Sequence, residues 1–130
     1  MHVRFGIDQY RRGDHLKVVR PGSLFAHEGI YAGNWWVNHV EMGGVAGYVP
    51  LAVFAGGRVP QVVNRPQTWE EGEVRVARAH QRLGQPYHPI SFNCQHLVNA
   101  AITGRPYSQA VAGVVLLVIG AVVARALTRA

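Results

Sequence analysis

The chain has 130 residues, enough for one domain of ordinary size, and 48% of them are hydrophobic against 15% charged, which excludes the charge-rich, apolar-poor class that stays disordered. Thirteen Lys plus Arg against seven Asp plus Glu leave a net charge of +6, which suits an anionic partner, lipid or nucleic acid, without choosing between them. The single cysteine excludes an internal disulfide framework and a multi-cysteine zinc ribbon, fits a reducing compartment, and leaves a thiol as the group to explain.

The N-terminal residues, Met1 to Arg12, lack the apolar stretch of a secretory leader. Residues His15 to Arg20 alternate as a strand and stop at the turn signal Pro21-Gly22. Two β-favouring runs follow, His27 to Tyr31 and Trp35 to Val40, separated by the hairpin residues Ala32-Gly33-Asn34. The glycines and proline between Gly43 and Gly57 mark a loop-rich stretch, and Arg58 to Val63 is a further candidate strand. Helical signals begin after Pro66. Thr68 and Glu71 have capping-box spacing, with Trp69, Val76, Ala79 and Leu83 on one side before Gly84. A second helix is expected from Asn93 as N-cap to Gly104 as C-terminal stop, burying Leu97, Val98, Ala101 and Ile102.

That second helix places Cys94 at its first position, where unpaired backbone N–H groups and the helix dipole favour a thiolate. The alternative is a small buried hydrophobe, the usual fate of an isolated cysteine. A thiol nucleophile needs a base, and histidine suits both the uptake and the return of the proton. Of seven histidines, His27 and His39 stand on the two arms of the hairpin. A two-residue turn at Gly33-Asn34 would send them to opposite sheet faces, whereas a three-residue loop or an equivalent bulge places them on one face. The same-face register is the expectation. His2, His15, His80, His88 and His96 are assigned to the surface or to local structure.

From Ala110 to Ala124 run fifteen residues without a charge or a side-chain hydrogen-bonding group, so no helical face is polar. Extended back to Tyr107, the uncharged segment would be about 27 Å long as a helix, just under the ~30 Å hydrocarbon core of a bilayer. A transmembrane anchor over residues 107–125 is expected, with Arg125 and Arg129 at one end, Tyr107 at the other, and Gly120 and Ala124 as a small-residue pair for a homodimer. The alternative is a buried core or dimer helix. A late apolar tail without a leader leads to the expectation of a membrane-associated protein with its folded part on the cytoplasmic side. Arg4, Arg11, Arg12, Lys17 and Arg20 would then face anionic headgroups. No nucleic-acid partner is expected, because no zinc-finger spacing, RNA-binding aromatic motif or long basic helix is present.

Gly13-Asp14-His15-Leu16, His27-Glu28-Gly29-Ile30-Tyr31-Ala32-Gly33, His39, and Tyr87 with Asn93-Cys94-Gln95-His96-Leu97-Val98-Asn99 resemble, in order and spacing, the lecithin:retinol acyltransferase-like (H-box/NC) proteins. The resemblance spans residues 13 to 104. It implies an α+β, circularly permuted papain-like thiol hydrolase fold: a small antiparallel sheet packed on helices over residues 1–106, followed by the hydrophobic C-terminal segment 107–130. It also implies Cys94 as nucleophile, His27 as general base and acid, His39 as the group orienting His27, and the Cys94 backbone N–H in an oxyanion hole. Two positions depart from the family pattern: Glu28 stands where an aromatic is common and Gln95 where an acid is common. The reaction implied is acyl transfer or phospholipase A action on a glycerophospholipid through a Cys94 thioester, with no cofactor and no metal. The rival readings are a cysteine peptidase or amidase on the same fold, a non-catalytic membrane-tethered interaction protein, and zinc held by His27, His39 and Cys94.

Overall fold

The computed structural model describes residues 9–105 and 109–128, the side chains of 109–116 excepted. Its elements in chain order are β1 (His15–Val18), β2 (His27–Gly33), β3 (Trp36–His39), β4 (Gly47–Pro50), α1 (Leu51–Ala55), β5 (Gln61–Asn64), α2 (Trp69–His80), α3 (Cys94–Thr103) and α4 (Gln109–Thr128). The five strands form one antiparallel sheet in the order β4-β3-β2-β1-β5. The fold is therefore mixed α+β, a small antiparallel sheet with four helices.

Strand alternation divides the apolar residues between two layers. Ile30 and Val40 face α2 and α3, where they meet Val76, Ala79, Phe92, Leu97, Val98 and Ala101. Leu16, Val18, Tyr31 and Val37 face the other way and pack with Leu51 and Phe54 of α1 and with Tyr10. Both sheet faces are covered, which a strand of alternating inward residues on each side requires. Tyr10 is fixed to this second layer by its hydroxyl, which donates to the Pro60 carbonyl at 2.7 Å. The start of β1 is held by Asp14, fully buried, which accepts from Arg65 Nε at 3.0 Å and Nη2 at 2.8 Å, and from the Arg11 N–H at 2.8 Å. Desolvating that carboxylate is tolerable because both of its oxygens are paired.

The hairpin closes one residue later than expected. Its turn is Asn34-Trp35, both with positive φ (48° and 67°), the backbone a two-residue hairpin turn of matching twist demands. The register passes from Tyr31↔Val37 to Gly33↔Trp36, so Ala32 is an unpaired bulge residue. The bulge restores the parity that a simple two-residue turn at Gly33-Asn34 would have lost. The Gly43–Gly57 stretch, read as loop, contains β4 and the short helix α1; Tyr48 and Val49 pair across to β3, and Leu51 and Phe54 supply the apolar anchor.

In α2 the Thr68 hydroxyl accepts from the Glu71 N–H at 3.1 Å, as the capping spacing requires. Val76 and Ala79 are buried, but Trp69, expected on the same face, is 74% exposed because it stands at the first helical position, before the helix meets the sheet. α3 begins with a reciprocal cap. The Asn93 side chain accepts from the N–H groups of Gln95 and His96, and His96 Nδ1 accepts from the Asn93 N–H at 3.0 Å. His96 therefore fills the role usually taken by Glu or Gln, and burial holds its pKa low enough to keep the accepting nitrogen free.

α4 forms where the apolar run stands, and its described side chains are exposed, among them Leu117, Ile119, Val122 and Leu127. Among the described residues no helix is long and apolar enough to cross a membrane, so the transmembrane expectation for residues 107–125 is not supported. The uninterrupted apolar stretch is only fifteen residues, and Gln109 and Arg125 lie within the helix. Arg4, Tyr107 and Arg129, invoked for the lipid contacts and the anchor, lie outside the described residues.

Candidate active site

Cys94, the first residue of α3, is partly exposed and opens on a cavity of about 480 Å³. Arg20, Phe25, His27, Glu41, Met42 and Tyr87 line the same cavity. The backbone N–H groups of Glu28, Gln95 and Cys94 itself favour the thiolate, as expected at a helix start. Burial and the Glu28 carboxylate outweigh them, and the thiol pKa is raised. The thiolate expected from the helix dipole is thus replaced at rest by a neutral thiol. The Asn93 side chain takes the N–H groups of Gln95 and His96 but not that of Cys94. The Cys94 N–H instead lies close enough to its own sulfur to favour the thiolate.

His27 and His39 are brought together as the parity argument required. His27 Nε2 lies 2.7 Å from His39 Nδ1, with the rings edge-on at 83°. Both belong to the sheet face of Phe54, whose ring centroid is 5.0 Å from that of His27. Because α3 packs on the opposite face, the thiol and the His27 ring approach the cavity around the N-terminal end of β2, not across a sheet face. Among the described residues no hydrogen bond joins Cys94 to either histidine.

Two residues that sequence reasoning did not place complete the cluster. Glu41 Oε1 lies 3.4 Å from His27 Nε2 and 4.0 Å from His39 Nδ1, and Arg20 Nη1 pairs with the same carboxylate. Arg20 Nε donates to the Phe54 carbonyl at 3.0 Å, while its Nη2 is buried and unpartnered among the described residues. The sequence signal for Glu41 was its position two residues beyond His39, which gives it the same parity. Arg20 had been assigned to lipid headgroups, as had Arg12, which instead pairs with Glu73 at 2.6 Å.

Burial, the Arg20 charge and the neighbouring imidazole lower the His27 pKa to about 4, with Glu41 and Glu28 opposing. His39 is also lowered, by burial first. Burial opposes ionisation of Glu41, yet its Arg20 partner holds its pKa below the usual carboxylate value. Both imidazoles are neutral near pH 7, so one nitrogen of each is a lone pair. A carboxylate can only accept, and its position near His27 Nε2 favours the proton there, donated to His39 Nδ1. His27 Nδ1 is then the basic nitrogen.

Behind Cys94, Glu28 is 8% exposed and takes a 2.8 Å contact from His15 Nε2. Burial raises its pKa, but hydrogen bonds from His15 and the Gln95 amide, with the charges of His15 and Lys17, lower it overall. The two positions that depart from the H-box/NC pattern thus contact each other. His27, His39 and Glu41 each offer a possible ligand atom within 4.8 Å of the others. The imidazole–imidazole hydrogen bond uses both facing nitrogens and Arg20 pairs with the carboxylate, so these groups do not fit a divalent cation in this arrangement. Cys94, part of the zinc set weighed from sequence, is not in that group among the described residues. A larger groove of about 820 Å³ lies beyond the hairpin, with Trp36, Tyr48 and His80 on its walls and no thiol.

The family model described as lecithin retinol acyltransferase matches residues 8–107. The chain belongs to that family. The matched segment runs from before Gly13 to beyond Gly104, and so includes both histidines of the hairpin and the Asn93-Cys94 cap of α3. No curated protein matches the chain.

Proposed function

We propose that the chain is a thiol-dependent acyltransferase or phospholipase A that takes an acyl group from a glycerophospholipid onto Cys94. Membership of the lecithin retinol acyltransferase family supports an acyl-transfer chemistry. The observation that carries the residue assignment is that a partly exposed thiol at a helix N-terminus and an imidazole hydrogen-bonded through Nε2 to a second imidazole line one cavity. The chain order, sheet histidines first and cysteine helix second, supports the permuted papain-like arrangement.

In this reading His27 Nδ1 removes the Sγ proton as the sulfur attacks the ester carbonyl. His39 fixes the ring and accepts its Nε2–H, and Glu41 offsets the imidazolium charge. The Cys94 backbone N–H donates to the tetrahedral oxyanion, a contribution worth roughly 10² to 10³ in rate in such sites. Collapse returns the proton from His27 to the departing lysophospholipid oxygen and leaves a thioester. His27 then removes a proton from water, or from an acceptor amine or alcohol, as that nucleophile attacks the thioester. The C–S bond breaks, the proton passes from His27 to the departing Cys94 sulfur, and the product is a fatty acid or the acylated acceptor. The proton transfer is uphill at rest, since the thiol is raised and the imidazole lowered, and bound ester must bring the two groups together.

A raised thiol pKa is also what a non-catalytic interaction protein would have, and a peptidase would use the same residues. One experiment separates the three. The full chain, with Cys94→Ser and His27→Gln variants, is incubated with mixed micelles of phosphatidylcholine or with a peptide library. Fatty-acid release or acyl transfer by the wild type alone supports the proposal. Peptide cleavage, or no turnover of either, contradicts it.

A further inference from the structure

The mouth of the Cys94 cavity is bordered by large apolar side chains that the fold holds out into solvent. Leu24 is 93% exposed, Met42 82%, Phe25 80% and Ile90 65%. Phe25 and Met42 line the cavity itself, and Asn93, another lining residue, ties the Ile90 turn to it by donating from Nδ2 to the Pro89 carbonyl at 3.2 Å. Isolated exposed hydrophobes are ordinary, but a group of them around one opening marks an interaction site.

These side chains sit on pinned turns. In the first, the Ser23 N–H donates to the Arg20 carbonyl at 3.0 Å, Gly22 supplies the positive φ of 78°, and the Ser23 hydroxyl donates to the Phe25 carbonyl at 2.9 Å. In the second, His88 and Phe92 exchange backbone hydrogen bonds. His88 Nδ1 accepts from the N–H groups of Ile90 and Ser91, and Phe92 is buried as the anchor. Ile90 is left at the tip. The backbone polar groups of both turns are largely satisfied internally, so presenting the tips to an apolar phase does not strip many N–H groups of water.

We propose that these two turns, with Met42, dock the cavity mouth on the surface of a lipid bilayer. The inference deepens the function proposed above and rests on its reading that the ester is a bilayer lipid. Charge complementarity favours lipid over a protein partner. Lys17 and Arg58, both exposed, line a cleft together with Val19, the residue that leads into the first turn, and the chain carries a net +6. Glu41, the carboxylate at the mouth, is already paired with Arg20. Separate apolar tips on narrow turns also suit a fluid acyl layer, which closes around any shape, better than a rigid complementary surface.

The test reads the turns locally, because α4 is apolar as well and bulk sedimentation would not distinguish the two. In full-length Cys94→Ser, Leu24→Cys or Ile90→Cys is labelled with an environment-sensitive fluorophore. The protein is then mixed with phosphatidylcholine–phosphatidylserine vesicles carrying nitroxide-labelled lipid. Blue-shifted emission and quenching are expected at both sites, and neither change at Glu70→Cys, an exposed site at the start of α2. An unaltered spectrum at 24 and 90, with the vesicles bound or not, overturns the proposal. So does a shift seen only with a bound protein partner. A second measurement separates this proposal from acyl transfer: Leu24→Ser with Ile90→Ser should form the Cys94 adduct at the wild-type rate from a water-soluble short-chain ester and about tenfold more slowly from vesicles. Equal rates from vesicles contradict docking while leaving acyl transfer intact. No adduct from either ester in the wild type, with the quenching retained, removes acyl transfer and leaves the docking surface.

Discussion

His27 Nε2 and His39 Nδ1 lie 2.7 Å apart although twelve residues and a hairpin turn separate them. The contact depends on the bulge at Ala32, which makes an otherwise two-residue turn preserve the parity of the two arms. It also occupies His27 Nε2, leaving Nδ1 for the proton transfer proposed above. Replacing His27 by Gln is expected to slow acylation of Cys94 by about 10² to 10⁴, the usual contribution of a positioned base. His39→Ala should slow it less and leave substrate affinity unchanged. Single-turnover rates over a range of ester concentrations separate the two effects; an unaltered rate in either variant contradicts its assigned role.

The neutral, buried imidazoles make stability depend on pH in a defined direction. The folded pKa of His27, about 4, is below the ordinary value of 6.5, so between these values the unfolded chain binds more protons. Stability is therefore full above pH 6.5 and declines as the pH falls toward 4, by at most about 3 kcal/mol from this group. His39 is shifted in the same direction. Urea unfolding of the wild type at several pH values, compared with His27→Gln, checks this. The variant should show a shallower decline, and parallel curves would contradict the assignment.

Glu28 raises the Cys94 thiol pKa through its charge while its backbone N–H lowers it. Alkylation of Cys94 in the free protein is expected to be slow near neutrality and to rise toward alkaline pH. Glu28→Gln removes the charge and keeps the backbone, so its alkylation profile should move to lower pH. A profile that stays put would show that the carboxylate does not act on the sulfur.

Gly29 lies where a Cβ would come within 2.7 Å of Val37 Cγ1 and 3.0 Å of Phe54 Cε2. Gly29→Ala should cost about 1–3 kcal/mol and displace Phe54 from His27. Thermal unfolding measures the first effect, and slower Cys94 acylation the second.

Asp14 is fully buried and its charge is met by Arg65. Arg65→Ala leaves the carboxylate uncompensated and should cost about 3–5 kcal/mol, more than Asp14→Ala, which removes the buried charge itself. Denaturant midpoints of the two variants decide the order.

Much of this site was legible in the sequence because its signals are local or periodic. The Asn93 cap fixed Cys94 at the head of α3, and strand parity tied His27 to His39 once a bulge was allowed. The pKa of Cys94 was not legible. Dipole reasoning sees only the helix end, whereas the burial that wins comes from α3 packing on the sheet and from Glu28 on another strand. Glu41 and Arg20 were missed for a similar reason. Their pairing joins the loop after β3 to the end of β1, and no sequence spacing reports a contact between two irregular segments. The helix α1 was hidden by the glycines around it and is too short for periodicity to register. For α4, hydropathy gave the helix, but apolar length alone did not establish a span.

The most direct measurement is the intact mass of wild type and Cys94→Ala after incubation with phosphatidylcholine. One added acyl chain on the wild type, and none on the variant, is the result this account predicts. An adduct on both proteins, or on neither, contradicts Cys94 as the acyl carrier.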